Sequence, residues 1–160
     1  MAFGGRVLGM VCALSMTTAA FAEQHTEVLL TVSGLDGEDV TFDRGALEEL
    51  GSESFETTTI WTEGVQTFTG VPLHVLVEAL GIEEGVLMAT AINDYAVEVP
   101  LEDAVENGPV VAYLLNGEPM SVRDKGPLWL VYPYDANPDY QSEVIYSRSI
   151  WQLDRIAVEK

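Results

Sequence analysis

One α+β domain with a mostly β core is the fold class this sequence predicts, and three observations predict it. Short β-branched or apolar runs recur along most of the chain. Only one stretch, residues 71–81, has a clear helical period. No repeat, low-complexity segment or linker divides the 160 residues, so helices and strands share one core.

The elements follow in order. "EVLLTVSG" (27–34) is β-branched and stops at a glycine, and "VTFD" (40–43) is a second short strand. Asp43 is placed to cap a small helix, "RGALEELG" (44–51), which Gly51 ends. "FETTTIW" (55–61) alternates and reads as a strand. "VPLHVLVEALG" (71–81) is the clearest helix: Pro72 suits a first turn, Leu73, Leu76 and Leu80 share a face, and Gly81 closes it. "VLMATAIN" (86–93) and "YAVEVP" (95–100) form a hairpin around Asp94. "PLEDAVENG" (100–108) reads as a short helix, and "NPDYQSEVIYSRS" (137–149) as a helix or an irregular turn. "VVAYLLNG" (110–117) and "PLWLVYP" (127–133) are nearly continuous apolar runs, the pattern of strands covered on both faces. "IWQLDRIAVE" (150–159) is a closing strand.

The first 22 residues have the layout of a secretory signal peptide. Arg6 is the only charge before Glu23, Val7 to Met16 is an apolar run too short to span a bilayer, and Ala20-Phe21-Ala22 is a small-x-small cleavage site. Residues 23–160 are then the exported domain, and the periplasm is its expected address. The only cysteine, Cys12, lies in the signal. The mature domain is therefore expected to carry no disulfide, no thiolate nucleophile and no thiolate metal ligand.

The formal charge is −19, with 26 acidic residues against seven basic ones. That balance argues against nucleic acid and anionic membrane surfaces as partners, and otherwise reads as solubility. The two histidines, His25 and His74, are far apart and lack metal-site spacing. No G-x-S-x-G elbow accompanies His74, and "SGLDGED" lacks the Lys and the strand–helix context of a phosphate loop.

What remains is aromatic. "DKGPLWLVYPYD" (124–135) is apolar, yet it carries a Trp and two Tyr whose polar tips need partners. Arg123 and Lys125 flank the turn leading into it, and Arg148 lies near Trp151. The strand reads as core whose end lines a pocket for something flat. Phe68 and Trp151 read as core or as part of that pocket, Asp94 as a turn residue or a site carboxylate, and Arg148 as the partner of a surface acid or a ligand donor.

The blocks "FTGVPLHVLVEALG", "AINDYAVEVPLED" and "VVAYLLNGEPMSVRDKGPLWLVYP", in that order, resemble the oxidoreductase molybdopterin-binding domain, the sulfite-oxidase fold, over residues 55 to 159. The molybdenum enzymes of that family hold their metal with a Cys that the mature chain lacks, and tend to carry Arg where this chain has Trp129. Trp61, Lys125 to Trp129, Tyr132-Pro133 and Arg148, Trp151 and Gln152 match the small stand-alone periplasmic members. That resemblance implies a bound pterin, reduced or molybdopterin-like, with no metal. It also implies an inner-membrane diguanylate cyclase/phosphodiesterase partner, and a sensor in place of an enzyme. The alternative is a molybdopterin-dependent oxidoreductase or its accessory domain; a plain interaction module is a third class.

A pterin is a flat, electron-poor bicycle with a paired donor edge. It wants an aromatic face, a carboxylate for that edge, and cationic or amide donors for its oxygen. Under this reading the stackers are Trp61, Phe68, Trp129, Tyr132 and Trp151, with Tyr95 in the matched hairpin; the carboxylates are Asp94 and Asp135; and the donors are Arg123, Lys125 and Arg148.

Overall fold

The computed structural model describes residues 27–160. The signal peptide, Cys12 and His25 lie outside the described residues. The strands are β1 (Leu30–Ser33), β2 (Val40–Phe42), β3 (Glu53–Thr57), β4 (Gln66–Pro72), β5 (Val86–Ala91), β6 (Ala96–Pro100), β7 (Val110–Leu115), β8 (Glu118–Pro119), β9 (Leu128–Val131) and β10 (Trp151–Glu159). The helices are α1 (Arg44–Leu50), α2 (Leu73–Ala79) and α3 (Glu143–Arg148). The fold class is as expected, α+β and mostly β.

All the strands join one sheet whose main path runs β2-β1-β10-β9-β7-β4-β3, with β5 and β6 added beside β10 and β8 beside β7. β10 is the hub. It pairs parallel with β1, antiparallel with β5 and antiparallel with β9. At Leu153 both β5 and β9 are its partners, so β9 and β1 occupy successive halves of one edge while β5 takes the other.

Local chemistry explains most elements. Asp43 caps α1 by accepting from the Ala46 amide at 2.8 Å. Asn116 and Gly117 both have positive φ, which makes the two-residue turn joining β7 to β8. All four residues of β9 and the first four of β7 are buried, as their unbroken apolar runs predict.

The structure differs from the expectation in three places. β4 was not expected: its Gly70-Val71-Pro72 end reads as a helix entry, yet it pairs with both β3 and β7, and α2 starts only at Leu73. The 55–61 strand shifts to Glu53–Thr57, leaving Trp61 in a loop. The 100–108 helix shrinks to a single 3-10 turn at Leu101–Asp103.

Gly70 makes the β4–β7 pairing possible. The ladder changes register between Thr69 and Gly70, and a Cβ there would run into the Val111 carbonyl and Ala112. Gly70→Ala is therefore expected to destabilise the domain by about 1–3 kcal/mol, as other overpacked cores do. A denaturant melt checks this through a lower midpoint.

Candidate functional site

Aromatic side chains from four parts of the chain converge on the β9–β10 pair. Trp129 and Trp151 are cross-strand partners, with ring centroids 6.2 Å apart. Trp61, from the loop after β3, lies edge-on to four rings at once: Trp151 at 5.5 Å, Trp129 and Tyr146 at 5.8 Å, and Tyr134 at 6.3 Å. Phe68 packs beneath Trp129 at 5.3 Å. The Lys125 ammonium stands 5.7 Å from the Trp129 ring and 5.6 Å from that of Trp151. Lys125 forms no ion pair among the described residues.

Beside this cluster is a cavity of about 370 Å³, within the usual range of small-molecule sites. Trp61, Tyr95, Tyr146 and Trp151 supply rings to it, and Asn93, Gln152, Ser147 and Ser149 supply polar groups. Tyr95 is 57% exposed and Trp151 37%, so ring surface remains uncovered at its mouth. A larger cleft of about 620 Å³, lined by Asp36, Glu83, Glu84 and Lys160, shares no residue with it and has no aromatic lining.

Gln152 holds the cavity's edge. It sits at φ +53 where β10 changes register. Its amide N–H donates to the Lys125 carbonyl at 3.0 Å, and its own carbonyl accepts from Ile92 at 2.9 Å. Its side-chain amide donates to the Val122 carbonyl at 2.7 Å.

Of the residues named from sequence, the structure brings Trp61, Tyr95 and Trp151 to the cavity and Lys125 to the rings behind it. The others lie elsewhere, each for a physical reason. Trp129, Phe68 and Tyr132 are wholly buried, so their faces are floor and core. Trp129 satisfies its indole N–H on the Ser149 carbonyl at 3.2 Å. Tyr132 donates to Asp103 at 2.7 Å, and Arg148 meets the same carboxylate at 2.9 Å; Arg148 is thus engaged by a half-buried acid. Asp94 is a hairpin-turn residue at φ +66, paired with Arg155 at 2.7 Å. Asp135 gives its carboxylate to Thr58, accepting from the amide at 2.6 Å and the hydroxyl at 2.7 Å. Those bonds hold its carboxyl below the ordinary carboxylate range. Arg123 is exposed on the 3-10 turn Val122–Asp124 and does not line the cavity.

Sequence reasoning passed over Tyr134, Tyr146, Asn93 and Asp103. Burial pushes the Tyr134 hydroxyl up to about 12, opposed by its bond to Ser149 Oγ at 2.6 Å. Tyr132 is raised further, by burial and by the Asp103 carboxylate.

Fold and cavity together define a mostly β domain with a ring-lined cleft beside its central β9–β10 pair. Residues 21–136 match the model of the oxidoreductase molybdopterin binding domain, and the chain belongs to that family. The sulfane dehydrogenase SoxCD from Paracoccus pantotrophus shares the fold with a TM-score of 0.60 at 19% identity, over 81% of this chain and 37% of that one. The chain thus spans little more than a third of SoxCD. No curated protein matches.

The cavity's donor set can be tested against the family's cofactor. Residues 27–160 contain no cysteine, and no cluster of three or more metal-binding side chains forms among the described residues. Rings, amides and hydroxyls fit a planar organic ring; they do not fit a metal ion held by a thiolate.

Two outcomes are expected. Trp129→Ala should cost about 3–5 kcal/mol of stability as a core truncation, whereas Trp61→Ala, half-buried in its loop, should cost clearly less; thermal melts of both check this. On alkaline titration Tyr134 stays protonated in the fold longer than in the unfolded chain. The stability linked to it is whole below the ordinary tyrosine value of 10.0 and is lost as pH rises through about 12. Tyrosinate absorbance at 295 nm, followed alongside circular dichroism, should show the buried tyrosines titrating late.

Proposed function

We propose that this is a periplasmic pterin-binding protein, a non-catalytic sensor that regulates an inner-membrane enzyme of cyclic-di-GMP synthesis and breakdown. The observation that carries the reading is the cavity itself. Trp61 and the solvent-facing rings of Tyr95 and Trp151 line a space of about 370 Å³ with side-chain amides at its edge, in a domain of the molybdopterin-binding family. A pterin stacks on such rings and hydrogen-bonds Asn93 and Gln152, while the ammonium of Lys125 makes the adjoining end of the site positive in an otherwise acidic chain. The signal-like residues 1–22 support export, and the lack of a thiolate in residues 23–160 supports a binding role over a redox one.

The sensing step follows from thermodynamics. A ligand shifts a receptor only when loaded and empty forms bind it differently. The cavity mouth is where they would differ, because Tyr95 and Trp151 are solvent-facing there and a bound ring would cover them.

Protein purified from its own periplasm should release a pterin, identified by mass spectrometry, and contain no stoichiometric molybdenum. About one molybdenum per chain would favour a molybdopterin-dependent oxidoreductase, the reading nearest to the family's enzymes. Loaded protein should also capture an inner-membrane cyclic-di-GMP enzyme differently from empty protein, and deletion should move cellular cyclic-di-GMP. No capture in either state and an unmoved nucleotide level would leave a pterin carrier as the better account.

A further inference from the structure

Trp61 meets more rings than any other residue of the cluster, yet no strand carries it. It sits in the 58–65 segment between β3 and β4. Within that segment the Trp61 amide donates to Thr59 Oγ1 at 3.1 Å, and Thr59 and Thr62 share a hydrogen bond of 2.7 Å. These bonds shape the turn but do not attach it to the domain. At its far end Gln66 of β4 donates its side-chain amide to the Glu63 carbonyl at 2.6 Å. At the Thr58 end the attachment comes from Asp135. Its carboxylate takes both Thr58 donors, at 2.6 and 2.7 Å, and its own amide donates to the Oγ1 of the fully buried Thr57 at 3.1 Å.

Asp135 does not line the ring cavity. It borders an adjoining cleft of about 140 Å³ with Thr58, Thr59, Tyr134 and Gln141, which shares only Tyr146 with the ring cavity. It forms no ion pair among the described residues. The carboxylate is therefore committed to the turn.

We infer that Asp135 is a positioning residue: through Thr58 it sets the plane of the Trp61 ring on which the ligand stacks, without touching the ligand. This rests on the pterin reading of the cavity. Edge-to-face contacts fix how the Trp61 ring meets its four neighbours. The carboxylate that accepts two donors from Thr58 fixes where the backbone carrying that ring sits, because such charge-assisted bonds are short and directional. The ring's placement thus depends on the bonds at Thr58 as well as on its neighbours.

The test is a double-mutant cycle with neopterin, a pterin with a neutral hydroxylated side chain, as the probe. Asp135→Ala should weaken neopterin binding about tenfold, but change it less than about twofold when Trp61 is already Ala, because the two act as one unit. The three tryptophans, labelled with 5-fluorotryptophan, should report the same event. The Trp61 fluorine resonance shifts or broadens in Asp135→Ala while those of Trp129 and Trp151 stay nearer their places. Thr58→Val, which keeps the amide donor and removes the hydroxyl, should give a smaller change in the same direction, and serves if Asp135→Ala folds poorly. Equal losses in both backgrounds would overturn the inference, since Asp135 would then act independently of Trp61. An unmoved Trp61 resonance would overturn it as well. If the wild type fails to bind neopterin, the pterin reading loses its support, and the fluorine spectrum alone decides whether Asp135 holds the ring.

Discussion

The pairing of β10 with three neighbours is the constraint on which the rest of this structure depends. A strand has two edges, and β10 gives one to β5 and divides the other between β9 and β1. The ladder with β5 shifts register between Leu153 and Arg155, where β9 gives way to β1, and the ladder with β9 shifts at Gln152. A residue at φ +53 there costs local strain. It is offset by bonds from Gln152 to Lys125 and Val122 in the β8–β9 connection and to Ile92 in the β5–β6 turn. The same irregularity sets Trp151 opposite Trp129 but leaves it partly in solvent. One aromatic of the pair becomes floor and the other becomes wall.

The remaining wall depends on polar fastenings more than on packing. Asp103 receives both Tyr132 and Arg148, and so fixes the end of α3 from which Ser149 and Trp151 follow. A charge this enclosed is tolerated because a guanidinium reaches both its oxygens and a phenol also donates to the nearer one. Ser149 accepts from Tyr134 and donates to the Ile145 carbonyl, while its own carbonyl takes the Trp129 indole. Side chains that look like ligand contacts in a list are in good part the scaffold that holds fewer, more exposed ones.

The fold was legible where local chemistry and burial agree. Asp43 and its helix, the Asp94 turn and the unbroken apolar runs of β7 and β9 could all be read from spacing. β4 could not, because Gly70 and Pro72 are poor strand residues by propensity, and only the close approach to Val111 explains the glycine. The ordered blocks from "FTGVPL" to "LVYP" carried the family. In the site, Trp61, Tyr95, Lys125 and Trp151 were legible as aromatic and cationic residues at matched positions. Which of them kept a free face was not, since Trp129 and Trp151 are cross-strand partners and only the packing around them buries the first and leaves the second partly exposed. Nor could the partner of Arg148 be read, because 26 acidic residues compete for it in one dimension and only the fold selects Asp103.

The cavity is also a seam in the chain's own order. Asn93 and Tyr95 come from the middle of the sequence, inside the family match, while Tyr146 to Gln152 come after it. β10 follows every other strand of the sheet. An emerging chain can form the β3–β4–β7 pairings early, but it has no enclosed cleft until its final strand slots between β5 and β9. The enclosed cleft is therefore a product of completed folding, and under the proposed pterin reading a chain that stops before β10 would have no site for the ring.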